Sequence, residues 1–168
     1  MKFEEKIRVV PNFPKDGISF KDITPLLEDA KYFRAVIKEI ATLYKDKVDV
    51  VVGIESRGFI LASAVAYELG KGLVLIRKKG KLPFEKISTS YDLEYGSAQI
   101  EIHSDANLND KRVLIIDDVL ATGGTARASV ELIQKFNPQS ISLCFLIELV
   151  ELNGKKSLSN DIKSIMKL

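Results

Sequence analysis

Val113-Leu114-Ile115-Ile116-Asp117-Asp118-Val119-Leu120-Ala121-Thr122-Gly123-Gly124-Thr125-Ala126 is the most informative stretch of this 168-residue chain. The run from Val113 to Ile116 is apolar and β-branched, without polar alternation, which is how a strand buried on both faces reads. Two acids end it, a turn of Ala, Thr and Gly follows, and an amphipathic pattern runs from Thr125 to Phe136 before Asn137-Pro138. Strand, glycine turn and helix form the unit of a parallel α/β sheet. In such sheets ligands bind beyond the carboxyl ends of the strands.

Outward from that unit the pattern repeats. Val48 to Ile54, Leu73 to Ile76 and Ser140 to Ile147 are further short apolar runs. Between them lie helical patterns. Tyr32 to Tyr44 puts Phe33, Val36, Ile37, Ile40 and Leu43 on one face, and Phe59 to Leu69 ends at Gly70, a C-cap residue. The alternation predicts one α/β domain over residues 1–168, with a central, mainly parallel sheet flanked by helices. Two stretches break the rhythm. Residues 1–30 carry Pro11, Pro14 and Pro25 and read as an extended cap. Residues 77–104 read as an inserted arm, with Thr89 to Tyr95 and Ala98 to His103 as an antiparallel pair turning at Gly96-Ser97.

Composition limits the function. Lys plus Arg is 25 and Asp plus Glu is 23, a net charge of +2, too balanced for a nucleic-acid coat. One Cys (Cys144) and one His (His103) cannot fill a zinc shell, so a metal here is expected to be hard and oxygen-bound, such as magnesium. A lone Cys fits a reducing compartment. Without an apolar signal core or a membrane-length run, the expectation is a cytoplasmic protein with no membrane partner. His103 is expected in solvent and Cys144 in the core.

In the opening stretch, glycines let backbone N–H groups approach an anion, and the helix N-terminus adds partial positive charge. That is a phosphate cradle. Asp117 and Asp118 would repel a phosphate and suit sugar hydroxyls or a cation instead. The ordinary reading, a βα turn with capping Thr and Gly, does not explain the two acids. No G-x-x-x-x-G-K-[ST] and no G-x-G-x-x-G occurs. A second strand end, Gly53-Ile54-Glu55-Ser56-Arg57-Gly58-Phe59, adds a guanidinium suited to phosphate oxygens, with Ser56 as expected N-cap. A third, Arg77-Lys78-Lys79-Gly80-Lys81, follows a buried strand and would lie at the same edge of the sheet.

The fourteen-residue string resembles the phosphoribosyl-pyrophosphate signature of the type I phosphoribosyltransferases. Asn12 through Leu27 resembles the base-binding segment of the adenine-using branch of that family. Arg77 through Pro83 and Tyr91-Asp92-Leu93-Glu94-Tyr95-Gly96 resemble its mobile catalytic loop, with Phe84 where many relatives have Gly. The resemblance implies formation of AMP and pyrophosphate from adenine and phosphoribosyl pyrophosphate, with Mg2+ as cofactor, in a homodimer. It assigns Glu94, Asp117 and Asp118 to catalysis. Ala121, Thr122, Gly123, Gly124 and Thr125 go to the ribose 5-phosphate, and Glu55, Ser56, Arg57, Arg77, Lys78 and Lys81 to pyrophosphate. Ser19, Phe20 and Lys21 go to adenine, with magnesium held mainly by substrate. The alternatives are another purine, xanthine or guanine, and a non-catalytic regulator that senses phosphoribosyl pyrophosphate, for which a catalytic arm would be superfluous.

Overall fold

The computed structural model of the protein describes residues 1–92 and 97–168. A 3-10 turn (Phe3–Lys6) leads into a hairpin of β1 (Arg8–Pro11) and β2 (Ser19–Asp22), then into α1 (Thr24–Glu28) and α2 (Ala30–Tyr44). The α/β succession follows as β3 (Val50–Ile54), α3 (Glu55–Leu69) and β4 (Gly72–Lys78). The arm supplies β5 (Lys86–Asp92) and β6 (Ser97–His103). Then come β7 (Arg112–Leu120), α4 (Gly124–Gln134), β8 (Ser140–Glu148) and β9 (Asp161–Lys167).

Seven strands form one sheet in the order β5-β6-β4-β3-β7-β8-β9. The pairs from β4 to β9 are parallel, whereas β6 runs antiparallel to both β4 and β5. The central strands lack polar alternation because each face has its own core. Val51, Leu114, Ile116, Cys144 and Leu146 point into one cluster with Val36, Ile40, Leu61 and Val65 of α2 and α3. Val50, Val52, Val113, Ile115, Leu143 and Phe145 point into the other with Val130, Leu132 and Ile133 of α4. Burying such side chains from both faces stabilises by about 1.5–3 kcal/mol each before entropy is counted. Asp29 caps α2 by accepting from the N–H groups of Lys31 and Tyr32, and Gly70 ends α3 in the left-handed region.

Several expectations need correction. The arm is less separate than its sequence suggests, because β6 joins the main sheet through Arg77 and Lys78 at the end of β4. Those two cations therefore end a strand, and the turn begins after them. Residues 1–30 hold a hairpin with its own two-stranded sheet, plus a short helix. The edge strand β9 has no counterpart in the sequence reading. Helix α3 starts at Glu55, with Ile54 at the N-cap and no side-chain cap, so Ser56 lies inside the helix. Among the described residues no helix is long and apolar enough to cross a membrane.

Candidate active site

Register delivers three strand ends to one place. Ile54 of β3 pairs with Ile76 of β4, and Gly53 pairs with Ile116 of β7. The residues after each pair, Glu55, Arg77 and Asp117, therefore emerge side by side at the carboxyl edge of the sheet. There a cavity of about 350 Å³ is lined by Ile54, Glu55, Ser56, Arg57, Lys78, Tyr91, Ala98, Ile100, Asp117, Asp118 and Thr125. A smaller one of about 70 Å³ shares Asp117 and Thr125 and continues over Ala121, Thr122, Gly123 and Gly124.

Both aspartates are withdrawn from solvent, and Asp117 is held where charge is disfavoured. Asp117 Oδ1 accepts from the N–H of Asp118 at 2.9 Å. Burial first, and the neighbouring Asp118 second, push the Asp117 carboxyl well above the usual range. Helix α3 comes this close because residue 58 is glycine: a Cβ there would meet Asp117 Oδ1 at 2.8 Å and the Ile116 carbonyl oxygen at 3.1 Å. Asp118 is 5% exposed. Arg57 Nε lies 2.8 Å from its Oδ2, yet that oxygen is buried without a hydrogen bond. The contact is a charge pair, and Asp118 also lines the cavity, where its carboxylate suits a ligand hydroxyl or a hard cation.

The turn beyond β7 leaves the first backbone donors of α4 without a side-chain cap. Helix α4 starts at Gly124 with Gly123 as N-cap and no side-chain cap, so its first N–H groups are left for a ligand. Gly123 has φ 86 and packs on the 3-10 turn Gly154–Ser157. A Cβ on Gly123 would lie 2.5 Å from the Gly154 carbonyl oxygen, and one on Gly154 would lie 2.3 Å from that of Ala121. An ion pair of 2.7 Å between Lys155 and the buried Glu148 anchors this floor to the end of β8.

Glu55 is one of six non-glycine residues at positive φ (40°) among the described residues, a conformation retained only where the surroundings impose it. Its carboxylate accepts the N–H of Lys78 and faces Arg77 Nε at 3.7 Å. It thus braces the start of α3 against the end of β4, and its charge is turned to these donors. Arg77 also lies over the Phe59 ring at 5.6 Å and donates to the Lys81 carbonyl at 3.4 Å. Lys81 itself is exposed and outside the cavity lining.

Phe20 is half-buried and lies outside the core clusters. Its ring carries the Arg57 guanidinium at 4.8 Å and the edge of Phe13 at 5.1 Å. Arg57 therefore links the hairpin to the aspartates. Ser19 and Lys21 flank Phe20 on β2, with Lys21 Nζ donating to Ser19 Oγ at 3.1 Å. Glu94, Tyr95 and Gly96 lie outside the described residues. His103 differs from expectation: it is half-buried, its Nε2 has no hydrogen bond, and its ring meets that of Phe84 at 6.4 Å. Cys144 is fully buried, and burial pushes its thiol up to about 12.

Sequence reasoning gave Tyr91 no site role beyond its place in the loop segment, and it missed Gly154. Tyr91 reaches the cavity from the arm, and its signal was the same β alternation that placed β5. Gly154 supports the glycine turn after β7 by a close approach that leaves no local sequence pattern.

A sequence model of the phosphoribosyl transferase domain matches residues 22–166. The adenine phosphoribosyltransferase of Halothermothrix orenii is 53% identical over 159 residues, 94% of each chain. The crystal structure of adenine phosphoribosyltransferase from Thermoanaerobacter pseudethanolicus has a TM-score of 0.93 at 47% identity, covering 99% of this chain and 98% of that one. The Giardia lamblia APRTase complexed with 9-deazaadenine has a TM-score of 0.94 at 38% identity, covering 99% and 96%.

Proposed function

We propose an activity for this chain, which belongs to the phosphoribosyl transferase family: it makes AMP and pyrophosphate from adenine and phosphoribosyl pyrophosphate. The observation that carries the reading is the buried Asp117–Asp118 pair, with an unbonded carboxylate oxygen, placed between an anion-binding turn and an aromatic face. The relatives named above are adenine phosphoribosyltransferases, and one of them binds a deazaadenine.

The roles divide along the cavity. The backbone N–H groups and hydroxyls of Ala121, Thr122, Gly123, Gly124 and Thr125 take the ribose 5-phosphate. The ribose hydroxyls donate to Asp117 and Asp118. Once they do, Asp118 no longer needs Arg57, whose guanidinium is free to turn to the pyrophosphate with Ser56 and Lys78. Arg77 and Lys81 add positive potential, and Glu55 acts by holding this strand end. Adenine stacks on Phe20, and the backbone of Ser19 and Lys21 reads its edge.

In the reaction the purine N9 bonds to the anomeric carbon as the bond from that carbon to pyrophosphate oxygen breaks, with inversion. Positive charge on the ribose ring peaks in the transition state, where Asp117 and Asp118 stabilise it most. Glu94 takes or holds the proton at the imidazole ring of the base. Among the described residues no three His, Cys, Asp or Glu side chains gather as a metal shell. The hard oxygens of Asp117 and Asp118 fit a magnesium ion carried mainly by substrate. Bound there, magnesium supplies charge neutralisation for the leaving pyrophosphate.

The enzyme works in the cytoplasm as a homodimer. The apolar groove between α2 and α3, with Phe33, Ile37, Ile60 and a Tyr67 that is 89% exposed, is the face offered to a second copy. Sedimentation equilibrium tests the dimer. The activity is tested by incubating the protein with phosphoribosyl pyrophosphate, magnesium and each of adenine, guanine, hypoxanthine and xanthine. AMP from adenine is the expected product. A preference for another base would replace the substrate, and no nucleotide from any base would replace the enzyme by a binding protein.

A further inference from the structure

We propose that Tyr91 is a positioning residue whose phenol couples occupancy of the phosphate turn to the seating of the arm. This rests on the reading of Ala121 to Thr125 as the ribose 5-phosphate site. The two hydroxyls concerned come from distant parts of the chain. Thr125 lies in the first turn of α4, and Tyr91 lies one residue before the end of β5. Thr125 Oγ1 and Tyr91 Oη share a hydrogen bond at 3.2 Å, and both residues line the cavity beside Asp117 and Asp118. A second tie runs between the same elements, from Lys135 Nζ after α4 to the Ser88 carbonyl at 3.0 Å. Strand β5 is thus moored to α4 at two points. The Lys135 tie lies away from the cavity, and the Tyr91 tie sits on the turn itself.

A hydroxyl has one proton to give and two lone pairs. In the free protein either hydroxyl can supply the proton of this bond. A phosphate in the turn presents acceptors, and Thr125 directs its proton to them. Tyr91 keeps its own proton, for which Thr125 Oγ1 is the adjacent acceptor. The contact then has one direction: Tyr91 donates to Thr125, and Thr125 donates to phosphate. Each bond in such a chain polarises the next, and a chain that ends on an anion is stronger than one between two neutral hydroxyls. The 3.2 Å separation exceeds the usual O–H···O length, which leaves room to tighten. Phosphate therefore draws the end of β5 towards the cradle. By linkage, a seated arm raises phosphate affinity by the same factor.

Tyr91→Phe in the full-length protein tests this, with ribose 5-phosphate as the probe. Affinity is read by calorimetry, and the arm by amide hydrogen exchange across residues 86–92 with and without saturating probe. The expected result is a loss of affinity of about 3- to 10-fold. The slowing of arm exchange that the probe causes in the parent protein should vanish as well. Thr125→Ser should keep the coupling and Thr125→Val should lose it, a comparison that stands even if Tyr91→Phe perturbs folding. Unchanged affinity in Tyr91→Phe overturns the proposal, and so does weakened affinity with arm protection retained. If the parent protein binds no ribose 5-phosphate, the phosphate reading itself has failed. If it binds the probe and makes AMP while the variants behave like the parent, the coupling alone has failed.

Discussion

Two aspartate–arginine pairs sit at opposite edges of the same pair of strands, β3 and β7, and they are built in opposite ways. At the amino edge, Arg112 donates to Asp49 through its backbone N–H (2.9 Å), Nε (3.0 Å) and Nη2 (2.7 Å), and Nη1 reaches the Asp46 carbonyl at 2.8 Å. Those bonds hold the Asp49 carboxyl well below its usual range. At the carboxyl edge, Arg57 approaches Asp118 as closely, yet Asp118 Oδ2 stays without a hydrogen bond and Asp117 is pushed upward. The satisfied pair fastens the strands where they begin. The other joins α3 to β7 through a single charge contact, at the edge where we propose that substrate binds.

The largest test of this contrast is the double variant Asp117→Asn, Asp118→Asn. Turnover should fall by about 100- to 1,000-fold or more, with circular dichroism unchanged. A double variant of parental activity would end the assignment of these residues. Next comes Gly58→Ala, whose Cβ must displace the Asp117 carboxylate or the helix. Its kcat should drop about 10- to 100-fold, and a parental kcat would mean that the Asp117 position is not critical.

The remaining two predictions concern stability. Asp117 has its carboxyl raised by folding, so its contribution is present in acid and is lost as pH rises through that raised value. Asp117→Asn should therefore melt higher than the parent at neutral pH, with the difference fading in acid, even as activity falls. Asp49 has the opposite sign, because its stabilisation exists above the ordinary carboxylate range and is lost as pH falls. Asp49→Asn should lower the melting temperature slightly at neutral pH and leave kcat alone, and the gap should close on acidification. Thermal melts of both variants from pH 3 to 8 measure the two slopes, and slopes of the same sign would remove the contrast.

The central strands were legible because burial on both faces suppresses polar alternation, a signal visible over four or five residues. Strand β9 was not, since it lies at an edge and mixes exposed Asp161 and Lys163 with a buried Met166. The hairpin was hidden by Pro11 and Pro14, which sequence logic reads against strands. At the site, the acids and glycines of the turn announced themselves by type and spacing. The start of α3 did not: Glu55 begins that helix with its carboxylate on a backbone N–H of β4, a contact that local capping rules cannot foresee. Tyr91 and Gly154 belong to the same class, since each acts on a residue at least thirty positions away.

The hairpin of β1 and β2 shares no strand pairing with the seven-stranded sheet. Under the proposed roles, base recognition by Ser19, Phe20 and Lys21 is therefore carried on a hairpin outside the main sheet, whereas sugar and phosphate recognition belongs to β7 and the turn that follows it. The two should differ in evolvability. A library randomised over residues 12–21 can change the choice of base while every register of the main sheet survives. A library over residues 117–125 should yield few folded, active members, because there the residues that read the ligand also build the sheet.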